Sequence, residues 1–251
     1  MKQLIRKCLL RFLSWFCHDK GPKVIFYHDV GRGYSRTGTD LEVIKSHVAA
    51  ARQMGYEFVS SVEDLSGQKI LMCFDDGFRG IWEVRDYFIA EKIFPMIFIA
   101  IDLVGQSGYL TWDEILALKK DGFSFQSHTW THRSLTEVSS AELAHEILDS
   151  KTELSKRLNC TVEYLCFPRG MFSRHILCEC ARAGYSGLFT SIPFGWGKTF
   201  PVERGCGEMP LYPRILVQSA TAGEFKSVLS GAMSCLARRY FSRQYVRGDD
   251  M

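Results

Sequence analysis

The stretch Leu71-Met72-Cys73-Phe74-Asp75-Asp76-Gly77 constrains this chain more than any other. Four apolar residues follow one another without polar alternation, the pattern of a strand covered on both faces. The run then ends in two adjacent carboxylates and a glycine. Like charges sharing a site resist ionising together, and a bound cation is the usual relief. A fold for this chain must bury the strand and give its acidic end a partner.

The remaining sequence supplies a sheet to hold it. Apolar, β-prone runs at 24–27, 57–60, 70–74, 95–101, 123–127, 164–167, 187–190 and 213–217 read as strands. Helical patterns are expected at 41–54, 81–92, 111–120, behind Ser139, at 173–183 and behind Thr221. Thr111 with Glu114, Ser139 with Glu142, and Thr221 with Glu224 form capping boxes, in which hydroxyl and carboxylate each satisfy a backbone N–H of the other. Gly55 and Gly184 act as helix stops. Strands alternating with helices imply an α/β fold with a parallel sheet, open or closed into a barrel. Ligands in such folds bind beyond the C-terminal strand ends. At those ends stand His28-Asp29, Asp75-Asp76, His128 with His132, and Pro168-Arg169-Gly170.

Length and charge narrow the classes. The 251 residues suit one large α/β domain. A net charge of +3 is too weak to indicate nucleic acid as a partner. The nine cysteines are odd in number and include no C-x-x-C pair, which argues against a disulfide framework or zinc ribbon and for a reducing compartment. No apolar run is long enough to span a bilayer. Residues 1–20 read as a basic amphipathic helix with Ile5, Cys8, Leu9, Phe12 and Phe16 on one face and Arg6, Lys7, Arg11 and Ser14 opposite. Such a helix either packs on its own domain or lies on an anionic membrane surface. The main domain is expected over 21–238, with a basic tail at 239–251. A cytoplasmic location follows, with peripheral contact at the inner membrane face as the variant.

His128 and His132 lie four residues apart directly behind a strand. In a helical turn this spacing places both rings on one side. With a carboxylate from Asp75 or Asp76 they make a two-His, one-Asp set, which leaves positions open for water and substrate as catalytic zinc sites do. Zinc is the foremost cation, and cobalt, nickel, manganese or iron suit the same donors. One aspartate can ligate while the other acts as general base. In a straight strand neighbours face opposite ways, but at a terminus before Gly77 the chain can turn and bring both to the mouth. The alternatives are local capping and packing by the histidines, and a helix N-cap for one aspartate.

Phe74-Asp75-Asp76-Gly77, Ser127-His128-Thr129-Trp130-Thr131-His132 and Phe167-Pro168-Arg169-Gly170, in this order, resemble the polysaccharide deacetylases of the NodB-homology type, carbohydrate esterase family 4. The resemblance covers roughly residues 22–217. Tyr27-His28-x-Val30, Gly55-Tyr56-x-x-Val59 and Thr111-Trp112-Asp113 are similar to the branch with a P-Y-G third motif. It implies a distorted (β/α)7 barrel and metal-dependent removal of acetyl from an N-acetylated sugar of a surface polysaccharide or its precursor. Carried over by motif, Asp75 is the general base, and Asp76, His128 and His132 hold the metal. Pro168, Arg169 and Gly170, with Trp130, contact substrate, and the backbone after the proline stabilises the oxyanion.

Three departures matter. The arginine that often opens the third motif falls here near Cys166, and Arg214 could orient the base from the last strand. Arg169 replaces an aromatic residue, which suits an anionic substrate or, as readily, a rim arginine paired with a local carboxylate. The late L-x-H motif is missing, with Leu216-Val217-Gln218 near its place. His28 is then the candidate general acid, or else only a hydrogen-bond partner within the site. The competing functions are a deformylase or deacetylase of a lipid-linked sugar at the membrane, and a non-catalytic glycan-binding relative.

Overall fold

The structure, a computed structural model, describes residues 10, 12, 13, 15, 19–31, 38–193 and 209–246. Among them a parallel sheet runs in the order β10-β1-β3-β4-β5-β6-β8-β9, with β2 added beside β3. The strands are β1 (Lys23–Tyr27), β2 (Glu57–Val59), β3 (Lys69–Phe74), β4 (Met96–Ile99), β5 (Ser124–Ser127), β6 (Tyr164–Cys166), β7 (Phe172–Ser173), β8 (Gly187–Phe189), β9 (Leu211–Tyr212), β10 (Ile215–Leu216) and β11 (Tyr245–Val246). β2 lies along the first half of β3, pairing Glu57 with Lys69, and β4 takes over along the second half, pairing Cys73 with Met96.

β9 and β10 are two halves of one segment, broken at Pro213-Arg214. The first half pairs with β8 and the second with β1. Chain continuity through this break closes the ring, and with β9 and β10 taken as one stave the ring has seven: β1, β3, β4, β5, β6, β8 and β9–β10. The (β/α)7 barrel expected from the sequence is the fold observed. Proline at the break is no accident of composition, because it cannot donate to a ladder.

Period-two alternation sorts the strand residues. Val24, Phe26, Leu71, Cys73, Met96, Phe98, Tyr164, Cys166 and Phe189 fill the barrel. Ile25, Tyr27, Ile70, Met72, Phe74, Ile97, Ile99, Leu165 and Leu188 face the helices instead. The unbroken apolar run of β3 is thus divided between two cores. The interior is packed solid, with Phe189 against Phe98 at 5.0 Å and against Tyr212 at 4.9 Å.

The helix Leu41–Gln53 shows how the outer layer is locked. It buries His47, whose Nε2–H donates to the Ala220 carbonyl at 2.8 Å while Nδ1 accepts from the Tyr27 hydroxyl at 2.8 Å. The ring also stacks on Phe225 at 4.3 Å. Burial holds this imidazole below its ordinary pKa, against the pull of the Ala220 carbonyl.

All three capping boxes form. Other expectations needed correction. The helix expected at 81–92 breaks at Val84 into Gly80–Glu83 and Arg85–Ala90. The helix behind Ser139 passes through a π-helical turn, His145–Asp149, before continuing as Ser150–Leu158. The expected basic tail is, as far as Val246, the end of the helix Ala237–Gln244 and a strand paired with β7. Cys178 is disulfide-bonded, so the reading against a disulfide framework does not extend to every cysteine. Of the N-terminal helix, Leu10 is buried while Phe12 and Trp15 are exposed; Ile5, Cys8, Leu9 and Phe16 lie outside the described residues. No described helix is long and apolar enough to cross a membrane.

Candidate active site

The C-terminal strand ends gather the polar residues. Asp75 follows β3 and continues the inward series Leu71, Cys73. Asp76 should point outward, and it does not. Its φ of 69° and the φ of 73° at Gly77 swing the backbone so that both carboxylates reach the barrel mouth. Glycine suits position 77 because its φ of 73° is a conformation that L side chains rarely adopt, and a Cβ there would also press on Ile99 Cδ1 at 2.7 Å.

Asp76 Oδ1 lies 3.2 Å from His128 Nε2 and 3.0 Å from His132 Nε2. The histidines do not meet through a helical turn. Left-handed backbone at Thr129 (φ 69°) and His132 (φ 62°) folds the segment back, leaving the ring centroids 4.8 Å apart. His128 Nδ1–H donates to the Cys166 carbonyl at 2.8 Å, which leaves the Nε2 lone pair directed at Asp76. Asp76 Oδ1 is itself buried and has no hydrogen bond of proper geometry among the described residues. Two imidazole nitrogens and one carboxylate oxygen thus converge on a common point. This is the donor set that would hold a divalent cation.

Asp75 is placed differently. Arg214 Nη1 donates to Oδ1 at 2.6 Å and Nη2 to Oδ2 at 2.8 Å. The guanidinium is itself anchored, with Nε donating to the Thr190 carbonyl at 3.0 Å and Cζ 4.2 Å from the Phe26 ring centroid. Burial is the largest single influence and would push Asp75 up; the Arg214 charge, its two hydrogen bonds and the neighbouring imidazoles together outweigh it and hold the carboxyl below the usual carboxylate range. Cys166 Sγ stands 2.8 Å from Arg214 Nη2. Burial pushes its thiol well up, so it stands beside the ion pair as a neutral group.

His28, behind β1, is half-buried. Its Nδ1 donates to Gln218 Oε1 at 2.8 Å. Gln218 thus occupies the place near the missing L-x-H motif and holds the histidine from the first strand. A cavity of roughly 580 Å³ joins His28, Asp75, His128, His132, Arg169 and Arg214. Gly170 also lines it, but Pro168 and Trp130 do not. Trp130 instead packs on His145, with ring centroids 4.4 Å apart and tilted by 37°. Arg169 (φ 57°) lines the cavity and also reaches Glu137 at 3.7 Å, both well exposed, so both features its two readings called for, a place in the groove and a local carboxylate, are present.

Two partners carried no signal in the sequence. The Thr190 carbonyl that anchors Arg214 is a backbone group. Glu146, buried on the π-helical turn, accepts from the Trp130 and Thr131 N–H groups at 3.0 Å each and from the Thr131 hydroxyl. Only its position on a helix facing the sheet could have marked it.

With this geometry in view, comparison with known proteins is specific. The polysaccharide deacetylase family profile matches residues 63–188, just over half of the chain. YxkH of Bacillus subtilis (strain 168), named provisionally as a polysaccharide deacetylase, is 23% identical over 194 residues, covering 72% of this chain and 68% of YxkH. Among solved structures, IcaB from Ammonifex degensii superposes with a TM-score of 0.70 at 21% identity, covering 85% of this chain and 98% of that one. The Streptococcus pyogenes deacetylase PplD in complex with acetate gives 0.68 at 19%, covering 85% and 98%. These structural likenesses carry the fold. The profile match, spanning β3 through β8 with the Asp75–Asp76 and His128–His132 segments inside it, carries the family: this chain belongs to the polysaccharide deacetylases.

Proposed function

We propose that the protein is a metal-dependent hydrolase that removes an acetyl group from an N-acetylated sugar. The observation that carries this reading is the separation of the two adjacent carboxylates. Asp76 faces two imidazoles, and Asp75 faces an arginine. One pair of neighbours in sequence thus has two electrostatic environments, as ligand and base require.

Asp76, His128 and His132 hold the cation. The cation supplies Lewis acidity, polarising the acyl carbonyl and lowering the pKa of water near it. Asp75 accepts the proton of the attacking water, and Arg214 fixes the direction of its lone pairs. The backbone N–H of Arg169, at the turn where Arg169 and Gly170 both have positive φ, is the candidate donor to the developing oxyanion; losing one such donor typically costs ~2.7–4 kcal/mol. His28, held through Nδ1 by Gln218, delivers the proton to the leaving amine from Nε2. A test is acetate release from chitooligosaccharides by the cobalt- or zinc-loaded protein, abolished by chelation and restored by metal. Absence of release from every N-acylated sugar, with metal bound, would leave the glycan-binding alternative.

A second reading concerns the aglycone. The cavity is also lined by the apolar side chains of Leu10, Leu13, Leu216, Met233 and Leu236. Leu216 is 43% exposed. Such a lining suits a sugar that carries an apolar chain, the lipid-linked alternative. Comparison of methyl and octyl N-acetylglucosaminides separates the two, since only the second reading predicts a lower KM for the octyl glycoside.

A further inference from the structure

The segment from Ser127 to His132 is under backbone strain. Thr129 and His132 both sit at positive φ, and Thr129 is β-branched, for which the left-handed region is a true outlier. Such conformations are costly and persist only where the surroundings over-determine them. Thr129 gains nothing from its side chain, because its buried Oγ1 has no hydrogen-bond partner among the described residues.

The counterweight lies on the neighbouring helix. Glu146 is 2% exposed. Its carboxylate receives the Trp130 and Thr131 N–H groups on Oε2 and the Thr131 hydroxyl on Oε1. These are the two residues between the strained positions. Trp130 then closes over His145, the residue before Glu146. The π-helical turn at His145–Asp149 is what presents these neighbours together, and such turns recur at functional sites. The carbonyls of its wider turn are satisfied locally: Ser150 Oγ donates to the Glu146 carbonyl at 2.6 Å, and the Tyr185 hydroxyl donates to that of Ile147 at 3.0 Å. Ser150 Oγ also meets Ser127 Oγ at 3.2 Å, and Ser127 Oγ accepts from the Thr129 N–H at 3.2 Å. The helix therefore holds the loop at its start, through Ser150, and in its middle, through Glu146.

From this clamp we propose that Glu146 is a positioning residue for the metal site: it holds the strained loop so that His132 faces Asp76 alongside His128. This inference rests on the reading of Asp76, His128 and His132 as metal ligands. Glu146 itself touches neither ligand nitrogen nor the cavity.

Chemistry separates positioning from charge. A glutamine at 146 can accept both amides on its carbonyl oxygen and donate to the Thr131 hydroxyl, so Glu146→Gln should retain the clamp, whereas Glu146→Ala abolishes it. Outer partners of this kind typically cost 10–100-fold in metal affinity when removed. Two measurements test it. Hydrogen exchange on the metal-free protein should show the Trp130 and Thr131 amides exchanging faster in Glu146→Ala and nearly unchanged in Glu146→Gln. Cobalt titration followed by visible absorption should show Kd raised about 10–100-fold with a changed ligand-field spectrum in Glu146→Ala, and a near wild-type Kd in Glu146→Gln. In a His132→Ala background, Glu146→Ala should cost no further affinity. Unchanged amide exchange, or a cobalt Kd within about twofold of wild type despite faster exchange, overturns the proposal. If Glu146→Ala does not fold, Glu146→Asp, too short to reach the loop, takes its place under the same criteria. A wild-type chain that takes up no cobalt refutes the metal reading, and the positioning role with it.

Discussion

Arg214 and Asp75 meet across the closing seam of the barrel, with two parallel hydrogen bonds of 2.6 and 2.8 Å and both side chains buried. A paired arginine fixes the carboxylate in a plane, which a lysine cannot do. Arg214→Lys should therefore lower kcat by about 100-fold, the scale of a displacement near 1 Å at a reacting group. Arg214→Met leaves the carboxylate buried and unpaired and should cost about 3–5 kcal/mol in urea denaturation. Adding Asp75→Asn to Arg214→Met should recover part of that loss; full additivity of the two would mean the pair is not coupled.

The split between Asp75 and Asp76 makes opposite demands on two neighbouring substitutions. Asp75→Asn should abolish turnover while metal content, measured by elemental analysis, stays at the wild-type level. Asp76→Asn should lose metal. If Asp75→Asn also loses metal, Asp75 is a ligand and the assignment of base fails.

His28 as proton donor predicts a shape as well as a rate. His28→Gln should lower kcat/KM by about 10²–10⁴-fold and remove the alkaline limb of the pH–rate profile. Gln218→Leu should keep the limb, with a smaller loss, because it frees the imidazole without removing it. An alkaline limb that survives in His28→Gln assigns the proton to another group.

His47 gives a stability test remote from the proposed metal site. Its folded pKa is depressed by burial, so the unfolded chain binds the extra proton first as pH falls. Stability linked to His47 is fully present above the unfolded histidine pKa, about 6.5, and is lost as pH falls below it toward the folded value. Urea midpoints of the metal-free protein at pH 5.5, 6.5 and 7.5 should show this slope in wild type. In His47→Gln the slope over that window should be shallower; an unchanged slope excludes His47 as its source.

Much of this architecture was readable from residues. The apolar run of β3, the three capping boxes and the clustering of His28, Asp75, His128 and Arg169 at strand ends follow from patterning and turn chemistry, which act over a few residues. What escaped was set by distant contacts or by backbone conformations that side-chain types do not announce. The spacing of His128 and His132 suggested a helical turn, whereas positive φ at Thr129 and His132 brings the rings together. Trp130 belonged to a motif, yet its ring turns toward His145. The break at Pro213-Arg214 was hidden within what looked like one continuous strand.

That break has a temporal meaning. Asp75 and its counterion are 139 residues apart in sequence, and the counterion sits on the final stave. During synthesis the first staves can pair as they emerge, but the carboxylate at the barrel mouth stays without its guanidinium until residue 214 has left the ribosome. A chain clipped before the seam would carry the Asp76, His128 and His132 donors and still lack the guanidinium that pairs with Asp75. The Asp75–Arg214 pair is therefore among the last contacts of the barrel mouth that synthesis can complete.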